Sequence, residues 1–151
     1  MYPTEFAYYR PSTVTEAVAL LQGDGSAAGD VKLLAGGQSL LPLMKLRLAE
    51  PSTLVDIGRI PELRGISEAG DAVIVGAATP YAAVLASPLV RRRCPLLAES
   101  LRHTGDMQVR ARGTVGGSLA HADPASDLPA AAVALEATLD AQGADGVRSV
   151  A

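Results

Sequence analysis

Two pairs of adjacent glycines constrain this sequence more than any other feature. Gly36 and Gly37 follow an apolar run and precede a Gln-Ser pair, and a similar segment, TVGGSL, begins at Thr114. A glycine pair after a strand permits positive φ and removes two Cβ atoms, so that successive backbone N–H groups can converge on an anion. Two such loops facing each other would hold a pyrophosphate from two sides. For one loop alone a tight connection is the alternative, because glycine is common in turns.

Neither glycine loop matches a common phosphate-binding spacing. The fingerprint G-x-G-x-x-G is absent, and so is the pattern G-x-x-x-x-G-K-[ST]. Ser39 and Thr114 nevertheless add hydroxyl donors, and a helix that begins near Leu40 would add the positive end of its dipole. The sequence therefore predicts a phosphate site of a different type.

The composition excludes several classes of partner. The chain has 151 residues, which suit one average domain or two small subdomains with a shared core. Aromatic residues make up 3% and the net charge is −3, which together argue against nucleic acid as a partner. No apolar run approaches the roughly 20 residues that cross a bilayer, and the N-terminus shows no secretory signal. We expect a cytoplasmic protein without a membrane span.

The first 57 residues alternate strands and helices. The predicted elements are a strand at 7–10, a helix from Val14, a strand at 31–35, a helix at 40–48 and a strand at 53–57. Thr13 and Glu16 have the spacing of a capping box, and Gly23 is the expected helix stop. This order predicts a small parallel α/β subdomain over residues 1–57.

The second half has a different pattern, which predicts a larger subdomain with an antiparallel sheet over residues 58–151. Thr79 and Pro80 are expected as N-cap and first residue of a helix. The predicted elements are a hairpin at 65–68 and 72–77, a helix to about 86, a helical stretch at 88–104 interrupted at Pro95, a helix at 128–137 and a hairpin at 138–141 and 147–150. The fold class is therefore α+β.

Two long segments carry a family resemblance. AGGQSLLPLMKLRLAEPSTLVDIGRI and GDMQVRARGTVGGSLAHADPASDLPAA resemble the flavoprotein subunit of molybdenum hydroxylases, the carbon monoxide dehydrogenase and xanthine dehydrogenase type. The similarity extends from FAYYRP to the final hairpin. It implies the FAD-binding fold shared with vanillyl-alcohol oxidase and p-cresol methylhydroxylase, with FAD extended between two subdomains. It also implies a fragment, because members of this family continue into a C-terminal domain.

The same resemblance implies a set of FAD-contacting positions. The first loop supplies residues near the pyrophosphate, namely Leu34, Ala35, Gly36, Gly37, Gln38, Ser39 and Leu40. The second supplies Thr114, Gly117 and Ser118, while Thr104 lines the flavin, Asp127 lies on the adenosine side, and His121 and Asp123 lie where the loop passes the cofactor. Gln38, Ser118 and His121 depart from the residues common in the family, although all can donate hydrogen bonds.

The function implied by the resemblance is an electron relay. A large subunit with a molybdenum–pterin centre oxidises a substrate, and a small subunit with [2Fe–2S] clusters carries the electrons to the FAD held here. The FAD passes them to NAD, a quinone or oxygen. The expected assembly is a dimer of heterotrimers, with molybdopterin and the clusters on the partner subunits. The alternatives are a self-contained flavin-dependent oxidoreductase of the same fold and a truncated, non-catalytic interaction fragment.

No catalytic group and no metal ligand is expected from this chain. Ser118, His121 and Asp123 lie too close along the sequence for a hydrolytic triad, and no G-x-S-x-G motif is present. Two histidines and Cys94 lack the spacing of a metal site. Asp123 is either a turn residue or a ligand, and Ser126 or Asp127 is expected to cap the helix that follows.

The arginines leave alternatives open. Arg110 and Arg112 flank the second glycine motif, where a guanidinium can contact phosphate, hold the loop or form a salt bridge. The run from Arg91 to Arg93 is either a solvated face or a docking patch. Cys94, which follows it, is expected to be a small, partly buried apolar residue.

Overall fold

A computed structural model describes residues 2–22 and 30–151. The expected helix stop at Gly23 lies outside these residues. The first part of the chain contains β1 (Ala7–Tyr9), α1 (Val14–Gln22), β2 (Val31–Leu34), α2 (Leu40–Lys45) and β3 (Thr53–Asp56). The three strands are parallel in the order β1-β3-β2. This arrangement confirms the predicted parallel α/β unit, and it brings the carboxyl ends of the three strands to one edge of the sheet.

The capping box of α1 is shifted by one residue from its expected form. The Glu16 N–H donates to Thr13 Oγ1 at 3.2 Å, as expected. The Glu16 carboxylate, however, accepts from the N–H of Ser12 at 2.7 Å and from its hydroxyl at 2.9 Å. These two hydrogen bonds, the backbone one first, lower the pKa of Glu16.

Helix α2 is shorter than predicted. It ends at Lys45 rather than near residue 48. Arg47 adopts a left-handed φ of 58°, which an α-helix cannot include, and the N–H of Leu48 returns to the carbonyl of Leu43. The apolar pattern continues beyond the helix because these residues lie in the turn that follows it.

The second half contains a 3₁₀ helix (Pro61–Leu63), two hairpins and six α-helices among its described residues. The hairpins are β4 (Ile66–Ala69) with β5 (Ala72–Val75) and β6 (Leu139–Gly143) with β7 (Gly146–Val150). The helices are α3 (Tyr81–Ala86), α4 (Pro88–Arg93), α5 (Pro95–Arg102), α6 (Met107–Arg112), α7 (Val115–His121) and α8 (Asp127–Ala134). Both predicted hairpins and the break before Pro95 are confirmed, and the content of helix and sheet confirms the α+β class.

The start of α3 corrects a prediction. Pro80 is the N-cap and Tyr81 the first helical residue, so Thr79 does not cap the helix. Thr79 is buried, and its hydroxyl bonds to the N–H and carbonyl of Gly65 at 3.0 and 3.1 Å. The Thr79 hydroxyl therefore forms a tertiary contact instead of the helix cap that the local sequence predicted.

Helices α6 and α7 were not expected from the sequence. Each has a capping side chain: Asp106 accepts from the Val109 N–H at 2.7 Å, and Thr114 accepts from the Gly117 N–H at 3.3 Å. The second glycine pair therefore lies in the first turn of a helix instead of a loop. The low helix propensity of two glycines hides this helix in the sequence.

Two hydrophobic clusters form the core. The first cluster joins helix α1 to the parallel sheet and comprises Ala17 from α1, Val55 from β3 and Ile60. The second comprises Tyr81, Val84, Val90, Leu97, Ala98, Leu101, Val115 and Leu128. We retain the two-subdomain division as a proposal and move its boundary beyond Ile60, which packs with the first cluster. No helix among the described residues has the length and hydropathy to cross a membrane.

The three arginines at 91–93 differ in their contacts. Arg93 forms a salt bridge with Glu68 at 2.5 Å and donates to the carbonyl of Asp71 at 3.0 Å, so it ties α4 to the β4–β5 hairpin. Arg91 and Arg92 are exposed. Cys94 is half-buried and packs against the second cluster, as its apolar role predicted.

Candidate functional site

The first glycine loop offers backbone donors without protein partners. It follows the carboxyl end of β2, and Gly37 takes a φ of 75° that side chains rarely adopt. None of the backbone N–H groups of residues 36–40 donates a hydrogen bond to another described residue. Gln38 and Ser39 are exposed and the other three residues are half-buried, so these donors are open to water or to a ligand. This row of donors is therefore suited to an anion supplied from outside the protein.

The two glycine motifs touch each other. A Cβ atom at Gly36 would overlap the carbonyl oxygen of Arg112 and lie 2.9 Å from Gly113 Cα. A Cβ atom at Gly117 would lie 3.7 Å from Ala35 Cβ. The structure thus brings the two motifs into direct contact, and at Gly36 the approach leaves no room for a side chain.

The second glycine pair has a different role from the first. The Gly116 N–H donates to the carbonyl of Ala77 at 2.8 Å, and a Cβ atom at Gly116 would lie 2.5 Å from the Cβ of Ala77. The Gly117 N–H is taken by the Thr114 cap. The expectation of two open anion-binding loops is therefore wrong for the second pair, whose amides are satisfied within the protein. The Thr114 hydroxyl keeps its own proton for donation.

The predicted residues after this helix lie along one surface stretch. Ser118 Oγ lies 3.2 Å from Ser126 Oγ, which joins the end of α7 to the start of α8. His121 is exposed in the last turn of α7. Asp127 is exposed as the first residue of α8, and the N-cap, Ser126, forms no side-chain cap bond.

Asp123 is held in a turn. Its Oδ1 accepts from the N–H of Ala125 at 2.9 Å, and its carbonyl accepts from the N–H of Ser126 at 2.9 Å. One carboxylate oxygen is thus engaged locally, which matches the turn role considered for this residue. The other oxygen has no hydrogen-bond partner among the described residues.

Thr104 lies in the connection from α5 to α6, which Arg110 holds together. The Thr104 hydroxyl donates to the carbonyl of Ser100 at 3.0 Å. The Arg110 guanidinium donates to three carbonyls of this connection, those of Arg102, Thr104 and Gly105, at 3.3, 3.2 and 2.7 Å. Of the roles open to Arg110, the structure shows the one that holds a loop.

A cleft of about 630 Å³ opens where the carboxyl ends of the parallel strands face the second half of the chain. Ligands of parallel α/β sheets bind at this edge. Ala35 and Thr114 are the predicted site residues that line it. Its charged residues are Arg10, Asp56, Arg59, Arg64 and Arg112.

Tyr8 and Asp56 line this cleft and are joined by a hydrogen bond. The Tyr8 hydroxyl donates to Asp56 Oδ2 at 2.5 Å, and Asp56 Oδ1 accepts from the N–H of Gly58 at 2.9 Å. The hydrogen bond to Asp56 raises the pKa of Tyr8, with desolvation and the carboxylate charge acting in the same direction. Arg10 and Arg59 act against this rise because their charges favour the phenolate.

Sequence reasoning missed most of the charged lining residues. Arg10 follows β1, and Arg59 lies three residues after the end of β3. Since parallel strands end at the same edge, charged residues after two such strands are a signal that could have placed them together. Arg64 does not directly follow a strand, so this signal does not identify it.

Comparisons with known proteins agree with this geometry. Residues 4–151 match the family model described as the FAD binding domain in molybdopterin dehydrogenase. The chain belongs to this family.

Relatives support the assignment over the whole chain. The carbon monoxide dehydrogenase medium chain of Hydrogenophaga pseudoflava is 52% identical over 99% of this chain, and the glyceraldehyde dehydrogenase medium chain of Sulfolobus acidocaldarius is 43% identical over 99%. These matches cover 51% and 52% of the respective relatives, so the chain spans about half their length.

Solved structures show the same fold. Carbon monoxide dehydrogenase from Hydrogenophaga pseudoflava, in a form that lacks the Mo-pyranopterin moiety, matches with a TM-score of 0.94 at 53% identity, over 99% of this chain and 51% of that one. Quinoline 2-oxidoreductase from Pseudomonas putida 86 matches with a TM-score of 0.93 at 39% identity, over the same shares of the two chains. These findings confirm the predicted family and fold, and FAD as the cofactor of this kind of domain.

The residues present fit such a cofactor. FAD carries a pyrophosphate with two negative charges, which requires several donors from the protein. The unpaired N–H groups of residues 36–40 supply a row of them. The packing of Gly36 against residues 112–113 fixes this row relative to the second motif.

Proposed function

We propose that this chain is the FAD-binding part of an electron-transfer subunit of a molybdenum-containing hydroxylase or dehydrogenase. The observation that carries the proposal is the row of N–H groups at residues 36–40, which have no acceptor among the described residues and lie directly against the second motif. These groups would donate to the pyrophosphate, and the positive φ of Gly37 lets consecutive N–H groups converge. Thr114 would add its hydroxyl from the other motif.

The remaining predicted positions would contact other parts of the cofactor. Ser118, His121 and Asp127 lie along the stretch that follows the second motif, where an extended dinucleotide would pass. The other positions in the proposed set are Leu34, Ala35, Gly36, Gln38, Ser39, Leu40, Thr104, Gly117 and Asp123. Ala35 and Gly117 are both half-buried and lie close together, which would limit access of water beside the phosphates.

The proposed assembly follows from the relatives. Bound FAD would supply the redox chemistry that passes electrons from [2Fe–2S] clusters to NAD, a quinone or oxygen. The clusters and the molybdenum–pterin centre would lie on small and large partner subunits, in a cytoplasmic dimer of heterotrimers. This proposal is supported by the similarity to medium chains of two dehydrogenases. The chain itself would bind and orient the cofactor.

A visible absorption spectrum tests the binding step. The purified chain, supplied with FAD and freed of excess, should show a flavin spectrum, and the released cofactor should have the mass of FAD. Gly37→Ala should weaken FAD binding at least about tenfold, because a side chain disfavours the φ that aims the N–H groups. Gly70→Ala is the matched control, since Gly70 has a φ of 57° and open space around its Cβ position.

The two variants separate loop function from backbone strain. Both substitutions place alanine at a positive φ and should lower the thermal midpoint. Gly37→Ala should lower it at least as much as Gly70→Ala, because its Cβ would also lie 2.9 Å from Leu41 Cδ1. Equal FAD affinity in Gly37→Ala and Gly70→Ala would refute the role of the first loop. A chain that takes up no FAD, with the remainder of a full-length homologue restored, would refute the flavin function.

A further inference from the structure

The arginine cleft, lined by Arg10, Arg59, Arg64 and Arg112, carries an unbalanced charge. Four guanidinium groups line it against the single carboxylate of Asp56, a difference of three positive charges. The whole chain has a net charge of −3, so this concentration runs against the overall balance. A cleft lined by one sign of charge focuses the field and attracts counter-ions.

These arginines have no protein partners among the described residues. None of the four forms a salt bridge or donates a side-chain hydrogen bond to another described residue. Asp56 cannot neutralise them, because one carboxylate carries one negative charge against four positive charges, and its two oxygens accept from Tyr8 and Gly58 rather than from an arginine. Four mutually repelling cations around one concavity are stabilised when an anion enters it.

The cleft is separate from the row of free amides. Of the two glycine motifs, only Ala35 and Thr114 line the cleft, whereas residues 36–40 do not. Gly36 packs on the backbone of Arg112 and Gly113, so the first loop lies next to one of the four arginines. The four arginines lie outside the set proposed for FAD, whereas Ala35 and Thr114 border both sites.

We propose that the arginine cleft is a second anion site, which binds a phosphorylated small molecule. Guanidinium groups match phosphate oxygens with paired hydrogen bonds and stay charged at every physiological pH. A volume of about 630 Å³ is that of a small-molecule site rather than of a flat docking surface. The shared chemistry is a phosphate or pyrophosphate group, either free or part of a nucleotide. This inference does not depend on flavin binding.

Equilibrium dialysis with inorganic pyrophosphate and with ADP tests the proposal. At low salt the chain should bind pyrophosphate, and Arg59→Ala/Arg64→Ala should weaken binding at least about tenfold. Arg91→Ala/Arg92→Ala removes the same charge from exposed positions of α4 and should change the dissociation constant less than about twofold. Saturating FAD, which would occupy the first loop, should leave the part of pyrophosphate binding that depends on Arg59 and Arg64 unchanged. Tighter binding of ADP would assign a nucleotide, and equal binding would assign the phosphate group alone.

Three results would overturn the proposal. Absence of binding for both probes would show that the cleft is not a site. An equal loss in the two double variants would show unspecific attraction to positive charge. Displacement of pyrophosphate by FAD, together with weakened FAD binding in Arg59→Ala/Arg64→Ala, would assign the cleft to the flavin site instead.

Discussion

Gly116 is required by packing rather than by backbone conformation. Its φ is not positive, yet the Cβ position lies 2.5 Å from Ala77 Cβ and 2.8 Å from Ala77 Cα. The same approach allows the Gly116 N–H to reach the Ala77 carbonyl. The residue thus joins α7 to the segment after β5, and so helps to position Thr114.

We predict that Gly116→Ala destabilises the chain. The added methyl group meets backbone and Cβ atoms that cannot rotate away, so the free energy of unfolding should fall by about 1–3 kcal/mol. Urea denaturation measures the change. Gly143→Ala is the control, because nothing lies within 4 Å of its Cβ position. Equal effects of the two substitutions would contradict the close packing inferred at Gly116.

Tyr8 provides a residue-scale test of the cleft. Its hydroxyl donates to Asp56, whereas Tyr9 has no side-chain hydrogen bond to a described residue. The two tyrosines are 51% and 48% exposed, so they differ in hydrogen bonding more than in burial. The raised pKa of Tyr8 means that its stabilising effect is full below the unfolded pKa of about 10 and is lost as the pH rises through the folded value.

Tyr8→Phe should therefore lower the thermal midpoint at pH 7. The difference from the wild type should begin to shrink above about pH 10 and should disappear as the pH rises through the raised pKa of the folded state. The midpoints of both proteins across this pH range give the result. Tyr9→Phe should show no such pH-dependent difference. A Tyr8→Phe deficit that persists unchanged at high pH would show that the hydroxyl contributes by packing alone.

The sheets differ strongly in burial at the scale of elements. Leu54 and Val55 in the central strand β3 are 1% and 0% exposed, whereas every residue of β6 and β7 is exposed. A two-stranded hairpin without a buried face is marginally stable. The β4–β5 hairpin is intermediate, because Ile66, Val73 and Val75 pack against the second cluster.

The rates of amide hydrogen exchange should follow the burial of the three sheets, slowest in β3 and fastest in β6 and β7. The backbone amides of β6 and β7 should exchange at least about 100-fold faster than those of Leu54 and Val55, because local opening of the hairpin exposes little apolar surface. The amides of β4 and β5 serve as the internal comparison and should fall between them. Protection of β6 and β7 equal to that of β3 would show that the hairpin is held by contacts beyond those described.

On the scale of the whole molecule, the contact between the glycine motifs joins the two core clusters. Gly36 belongs to the loop after β2, and Gly113 precedes α7 in the second half. A ligand bound across this contact would hold both parts in place. Such a ligand stabilises the folded chain in proportion to its affinity.

We therefore predict that FAD raises the thermal midpoint and that riboflavin, which lacks the pyrophosphate, does not. At about 100 times the dissociation constant, FAD should contribute about 2.7 kcal/mol, which corresponds to about 5–10 °C for a chain of this size. Differential scanning fluorimetry over a series of ligand concentrations measures the shift. Equal shifts with the two flavins would contradict recognition through the phosphates.

Much of the fold can be predicted from the sequence because it depends on neighbouring residues. Apolar runs located the three parallel strands, the turn residues located both hairpins, and Pro95 marked the break between α4 and α5. The first glycine loop was predicted for the same reason, since a strand, a glycine pair and a helix follow one another directly. Local spacing failed at Thr79, whose hydroxyl bonds to Gly65 across the fold.

By itself the sequence determined the order of elements apart from α6 and α7, the family and the first glycine loop, whose conformation depends on the flexibility of glycine. Only the tertiary structure decided that the second glycine pair lies in a helix against Ala77, and that four arginines from three segments line one cleft. Tyr8 and Asp56 are 48 residues apart, and their contact exists because parallel pairing places β1 beside β3. Such proximity depends on register and packing between distant segments, which no short stretch of sequence specifies.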